Sequence, residues 1–227
     1  MNILIVAAAL WLGLHIGVAG TGLRGTLVAA IGERGFRALF ALCSIAAISF
    51  LVIAFNHAPR SGLWYAAPWL RWILAGLMLP AVFLLLASFA TVSLKPEDAG
   101  TRRGSARGIL RVTRHPMLWS FALWASIHII GNGELAACVF FGTFLLTALA
   151  GMPSIDGKAA RRNAQTWNSF AAETSILPFG AILGGRNRFS AAEIGWLLPL
   201  VSIALWAAML LLHRKVIGVA PIPGLSL

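Results

Sequence analysis

Long apolar runs separated by short basic stretches set the pattern of this chain. The runs Ile3 to Ala19, Ala38 to Phe55, Ile73 to Leu94 and Ile194 to Leu212 are near the length a helix needs to cross a hydrocarbon core of about 30 Å. Two shorter runs, Met117 to Ile130 and Leu135 to Gly151, are parted only by Gly131, Asn132, Gly133 and Glu134, a turn composition that predicts a helical hairpin. The pattern predicts an all-α, polytopic membrane helix bundle of about six transmembrane helices, forming a single domain over residues 1–227. Pro80 and Pro199 fall inside predicted spans, where neighbouring groups can satisfy the freed backbone. Between the last two spans, Lys158 to Ala172 reads as a helix lying in the headgroup plane, with Trp167 and Phe170 on one face and Lys158, Arg161, Arg162 and Gln165 elsewhere.

The basic residues divide by side. Gly20 to Arg37, Lys95 to Arg114 and Met152 to Ala192 carry 14 of the 18 Lys and Arg, and these three stretches fall on one side of a six-span chain. The other side holds Arg60, Arg71, Arg214 and Lys215. Cytoplasmic loops retain Lys and Arg, so the expected placement is a multi-pass protein of the bacterial inner membrane with both termini periplasmic. No basic stretch precedes the first apolar run, while Arg24, Arg34 and Arg37 follow it, which predicts a retained first helix rather than a cleaved signal.

Composition agrees: the chain is 59% hydrophobic and 11% charged, with a mean hydropathy of +0.84. The net charge of +11 sits in loops beside anionic headgroups, without the basic and aromatic groove pattern of a nucleic-acid binder. Cys43 and Cys138 lie within predicted spans without metal-ligand spacing and are expected to be inert core residues. No Ser, His, Asp arrangement, zinc-ligand cluster or glycine-rich phosphate loop is present, so hydrolytic and nucleotide chemistry are not expected.

Histidine carries the candidate chemistry, because an ionisable group inside a bilayer needs a partner. His57 and His213 fall at loop or span ends and can be solvated. His15 lies deep in the first span. His115 precedes Pro116, which favours the first helical turn, and marks a helix start beside Arg114. His128 lies in the fourth span with Trp124 and Asn132 one turn to either side, so that Asn132 is placed to orient one ring nitrogen and leave the other for a metal. His115 and His128 are 13 positions apart, roughly 20 Å along a helix, too far to share one iron. A two-histidine site would pair His15 with one or the other across helices, and Gly13 and Gly17 would let a planar group approach the first helix. A hydrogen bond to a backbone carbonyl or a Ser across helices satisfies a buried histidine equally well.

Gly13, Leu14, His15; Arg114, His115, Pro116, Met117, Leu118; Leu123, Trp124, Ala125 ahead of His128; and Asn132, Gly133, Glu134 resemble the NnrU family of bacterial membrane proteins, as do Trp64, Pro68 and Trp69. The family name implies a link to nitrite and nitric oxide reduction in denitrification, and with it partner proteins of a respiratory nitrogen-oxide system. The same blocks resemble zeta-carotene isomerase, a membrane enzyme that binds haem b and isomerises a carotenoid double bond. Carried over by motif, its haem ligands fall on His15 and His128; a haem there would have Trp124 and Asn132 as neighbours and Arg114 as a partner for a propionate, with His115 a further candidate cofactor-binding residue. Ala125 stands where the isomerase has a cysteine linked to redox control of ligation, so that control is not implied here. Arg114, His115 and Pro116 also resemble part of the isoprenylcysteine-type methyltransferases, which use S-adenosylmethionine. There Leu118 replaces a tyrosine, and Glu173 alone stands for paired downstream glutamates. Three readings follow: a haem-binding NnrU-type protein, a haem-dependent polyene cis-trans isomerase, and a membrane methyltransferase.

Overall fold

A computed structural model describes residues 1–92 and 106–224. The described chain is helical, and its one β-type contact is an isolated antiparallel bridge between Gly62 and Glu134. Two compact units emerge, Met1–Ala66 with Ala125–Ile155, and Ala67–Trp124 with Asp156–Leu227. Among the described residues, four helices are long and apolar enough to cross a membrane: Leu23–Asn56, Pro68–Ala90, Leu135–Arg162 and Leu197–Ile217. The other two expected spans are the helix entered at Asn2, which runs to Val18, and the 17-residue Pro116–Asn132. At about 1.5 Å per residue each reaches about 25 Å, the short end of the spanning range. The bundle is thus a helical membrane protein, with its hydrophobic stretches where the apolar runs place them.

In the first unit, α1 (Asn2–Leu12) passes directly into a π-helical turn, Gly13–Val18. Helix α2 (Leu23–Asn56) is 34 residues long, roughly 50 Å, which exceeds any bilayer core. Gly32 breaks it, with φ 74° and ψ 163°, a conformation that glycine alone adopts without strain. The stretch Gly20 to Arg37, expected as a loop, is therefore mostly helix before and after a glycine break. Glu33, just past the break, accepts from Arg24 at 2.7 Å and Arg37 at 2.9 Å. These pairs are exposed and screened by solvent, so they orient the break rather than hold the fold.

The hairpin turn between α4 (Pro116–Asn132) and α5 (Leu135–Arg162) lies where the sequence predicts it. It is also a docking point. Leu63 and Trp64 both donate their backbone N–H to the Gly133 carbonyl, at 2.7 and 3.2 Å, and Leu135 N–H donates to Ser61 O at 2.9 Å. The Trp64 indole N–H donates to Ile130 O at 2.9 Å, and Arg60 pairs with Glu134 at 2.8 Å. Gly133 has φ 69°, and a Cβ there would fall 2.1 Å from the Trp64 carbonyl oxygen. The turn thus needs glycine for two reasons, its backbone conformation and the strand-like approach of residues 61–64.

In the second unit, α3 (Pro68–Val92) packs against α9 (Leu197–Ile217), where the Trp206 indole donates to Ala75 O at 2.8 Å. Arg71 reaches the Ala220 carbonyl and holds the chain beyond α9. A 3-10 turn at Gly108–Arg111 is fixed by Glu193, which lies in the short α8 (Ala191–Ile194). Its carboxylate takes the Arg111 guanidinium at 2.7 and 2.8 Å and the Gly108 N–H at 2.6 Å. Those bonds, the Arg111 pair foremost, hold the Glu193 carboxyl down to about 2.

The headgroup-plane helix expected over Lys158 to Ala172 is divided. Helix α5 runs on through Lys158 to Arg162, and Asn163 then takes an extended conformation and caps α6 (Ala164–Glu173) by accepting from Thr166 N–H at 3.0 Å. Asparagine at an N-cap offers the backbone a better partner than continued helix, which is why the break falls there. The amphipathic half survives as α6, with Trp167 and Phe170 half-buried among exposed neighbours. The expected span end at Leu94 and the loop from Lys95 to Ser105 lie outside the described residues.

Gly133→Ala is expected to cost about 2 kcal/mol or more, combining left-handed strain with the clash at Trp64 O. A detergent-solubilised thermal melt should show a clear loss, whereas Gly142→Ala in α5, where a Cβ would meet nothing within 4 Å, should leave the midpoint nearly unchanged.

Candidate functional site

His15 is built by an irregularity. The π-helical turn carries it one turn beyond Trp11, whose carbonyl accepts from His15 Nδ1 at 3.0 Å. A carbonyl can only accept, so Nδ1 bears the proton and Nε2 keeps its lone pair, the form in which imidazole binds a metal. The ring stacks on Trp11 at 3.9 Å and meets Phe40 edge-on at 5.3 Å. Trp11 is itself fixed, because its indole N–H donates to Thr147 Oγ1 at 3.0 Å and Thr147 donates onward to Thr143 O at 2.7 Å. A single π turn within an α-helix is a frequent device for presenting a functional side chain. Gly13 and Gly17 are each two positions from His15 and four from one another, so they share the face turned away from it. A Cβ at either would meet nothing within 4 Å. The open approach expected at His15 therefore lies on the opposite side of the helix.

His128 is half-buried on α4 and stacks on Phe141 at 4.7 Å. Phe141 meets Phe140 at 5.0 Å, Phe140 meets Phe144 at 5.3 Å, and Phe144 meets Trp11 at 5.3 Å. A row of aromatic rings therefore joins the two histidines. Depth follows from the helix ends. Residues Met1 to Leu4 share a cleft of about 580 Å³ with Phe50, Ile53, Ala54, His57 and Ala58. The start of α1 and the docked α4–α5 turn thus lie at the same end of the unit. His15 is then roughly 20 Å from that end and His128 roughly 6 Å. Trp124 is half-buried one turn before His128, Ala125 is fully buried, and Asn132 is exposed at the last residue of α4. A haem iron here would be held by His15 through Nε2, whose lone pair is left by the Nδ1–Trp11 bond. Joining it to His128 on one iron would require the row of rings to open.

The second constellation contains a residue that sequence reasoning missed. Asp156, near the lower end of α5, brings Arg114 and His115 together. Its Oδ1 lies 2.8 Å from His115 Nε2, which must donate, and its Oδ2 accepts from Arg114 Nε at 3.0 Å. Arg114 Nη1 also donates to Thr174 Oγ1 at 3.2 Å, and its guanidinium lies 5.2 Å from the Trp167 ring centroid. The fully buried Thr113 donates to Ile176 O and accepts from His115 N–H, setting the entry to α4 at Pro116. Burial lowers the His115 pKa more than the Asp156 bond raises it, so the imidazole is neutral at pH 7. A signal for Asp156 was available: the chain has seven acidic residues against 18 Lys and Arg, so an acid at the foot of an apolar helix is costly without a basic partner. His115 and His128 stand at opposite ends of α4, as their spacing requires.

The sequence pattern of the family described as NnrU protein matches residues 3–221. The chain is also similar to the 15-cis-zeta-carotene isomerase, chloroplastic, of Arabidopsis thaliana, with 32% identity over 167 residues, 69% of this chain and 44% of that protein. The protein of the same name from Zea mays is 26% identical over 181 residues, covering 77% of this chain and 48% of the relative. The chain thus spans about half the length of these curated relatives. No solved structure matches.

Asp156→Asn leaves Arg114 without a counter-charge and His115 without its carboxylate, and is expected to cost roughly 3 kcal/mol. A second expectation concerns pH. Because the folded His115 pKa is below its free value of 6.5, stability from the neutral ring is present above pH 6.5 and lost as pH falls through the folded value. Melting midpoints taken from pH 8 to pH 5 should decline, and His115→Gln should flatten the decline.

Proposed function

Because this chain belongs to the NnrU family, we propose that it is a membrane-embedded, haem-binding protein that isomerises a double bond of a long apolar polyene. The observation carrying this reading is the 32% identity, over two thirds of the chain, to a protein named as a 15-cis-zeta-carotene isomerase. Support from the site comes from His15, whose Nδ1–H is committed to Trp11 O and whose Nε2 is left as a donor. His15 would hold the iron, and His128, at the other end of the aromatic row, would be the second ligand only with those rings parted. A bound haem would supply an iron centre able to draw electron density from a polyene and weaken its double bond.

The residues of the chain have separate tasks in this reading. Trp11 fixes the His15 ring by stacking and by its carbonyl, and Thr147 fixes Trp11. The rings of Phe140, Phe141 and Phe144 pack together and exclude water beside His15, and would line an apolar path for a conjugated chain on parting. Double-bond isomerisation needs an open position at the iron, which the different depths of His15 and His128 favour. Arg114 is already paired with Asp156, which weighs against its use on a propionate or on the carboxylate of S-adenosylmethionine. The placement that goes with this reading is the cell membrane of a bacterium, with the basic ends of the helices cytoplasmic and both termini opposite.

The test is to purify the protein from haem-sufficient cells, record oxidised and dithionite-reduced spectra, and follow 15-cis-zeta-carotene by chromatography. A Soret band, together with disappearance of the 15-cis isomer, is expected for the wild type. His15→Ala should lose both, and His115→Ala should keep the band. Colourless protein that leaves the 15-cis isomer intact would sink the proposal. Copurification of a nitrogen-oxide reductase component with such protein would replace it with an assembly role.

A further inference from the structure

Residues 175–183 belong by sequence to a stretch that charge assigns to the water-facing side of the membrane. Their packing puts them deeper. Ile109 and Val112 form a buried cluster with Leu84 and Ala87 of α3, and Ile182 and Leu198 pack against it. Arg71, which bonds the Ala220 carbonyl, marks the far polar boundary of α3. Leu84 and Ala87 are 13 and 16 residues beyond it, roughly 20 to 24 Å along the helix, which is still inside a core of about 30 Å. The segments carrying Ile109, Val112 and Ile182 thus pack against α3 at a level that a hydrocarbon core of this thickness, counted from Arg71, would include.

Irregular backbone survives at that depth only where its polar groups are satisfied by protein. Here they are. Arg114 N–H donates to Ser175 O at 3.0 Å, and Ile176 O accepts from both Thr113 Oγ1 at 2.8 Å and the Trp119 indole at 2.7 Å. Phe179 N–H donates to Val112 O at 2.8 Å, and Gly180 and Leu183 N–H close a single helical turn, α7 (Gly180–Leu183). Phe179 holds φ 64°, the left-handed conformation that a bulky side chain rarely adopts, and its ring is turned outward. One face of the turn is buried, with Ala181 at 0% exposure, while Leu177, Phe179 and Leu183 are 63, 49 and 85% exposed. Large apolar side chains this exposed, on a segment pinned by these bonds, call for an apolar solvent.

We propose that residues 177–183 form a re-entrant element whose Leu177, Phe179 and Leu183 side chains lie among the acyl chains of the surrounding bilayer. The partner is lipid hydrocarbon, reached from the basic end of the bundle, and Arg188 follows at the level of anionic headgroups. The element anchors the 3-10 turn and the entry to α4 against the membrane, so that the Arg114, His115 and Asp156 cluster sits beneath a lipid-held cover.

The full chain is tested in bilayer nanodiscs of mixed zwitterionic and anionic lipid. Cys43 and Cys138 are first replaced by Ala, and Leu183→Cys is labelled with an environment-sensitive fluorophore. Quenching by lipids bearing a spin label near the head of the acyl chain should exceed quenching by aqueous iodide several-fold. Leu177→Cys provides the same reading should Leu183→Cys fail to fold. Dominant quenching by iodide would place the element in water and overturn the proposal. Protection from both quenchers would place it against protein and overturn it equally.

Discussion

Everything in this molecule answers to one constraint: inside a bilayer, a polar group unsatisfied by the protein has no water to turn to. The constraint explains why Asp156 takes two basic partners, why His15 spends a nitrogen on its own helix, and why Trp11, Trp64, Trp119 and Trp206 each donate their indole N–H to a named oxygen. Tryptophan contributes a large apolar body with one polar handle, and this chain uses the handle as a pin between segments. Threonine does the same at smaller scale, with Thr143 and Thr147 returning their hydroxyls to carbonyls of their own helix.

The division of labour between the two constellations follows from that constraint. At His15 the polar requirement is met with one nitrogen to spare, which leaves a donor for an outside ligand. Around Asp156 each carboxylate oxygen is taken, which makes a joint rather than a binding site. A buried cluster of this kind is weak ground for net stability, since desolvation offsets much of the attraction, but breaking it leaves an uncompensated charge. Its effect is to define geometry at the entry to α4.

Hydropathy alone made the helical class and the hairpin turn at Gly133 legible, because spanning length and turn composition are local properties. The same holds for His115 at a helix start, since Pro116 fixes the local backbone. Other features depended on contacts that no local pattern carries. Asp156 acquired its importance from residues 41 and 42 positions away. The break at Gly32 and the cap at Asn163 were hidden because continuous apolar or basic composition does not show where one helix stops. Residues 177–183 read as an aqueous loop because charge was counted by stretch, whereas the bilayer sorts individual side chains. The histidine pair was legible as two residues within apolar helices, but their different depths could be compared only once the docked turn located their common end.

The π-helical turn at Gly13–Val18 also records how the first helix was made. Such a turn is an α-helix with a residue too many, absorbed by a wider winding that keeps the helix beyond it in register, so removing Gly13 would restore ordinary winding and place His15 three positions from Trp11 instead of four. His15 would then leave Trp11 while the apolar character of the segment stayed the same. The feature that distinguishes this helix from a plain membrane anchor is therefore its length by a single residue. Hydrophobicity cannot register that difference, and an alignment that closes the gap there would erase it.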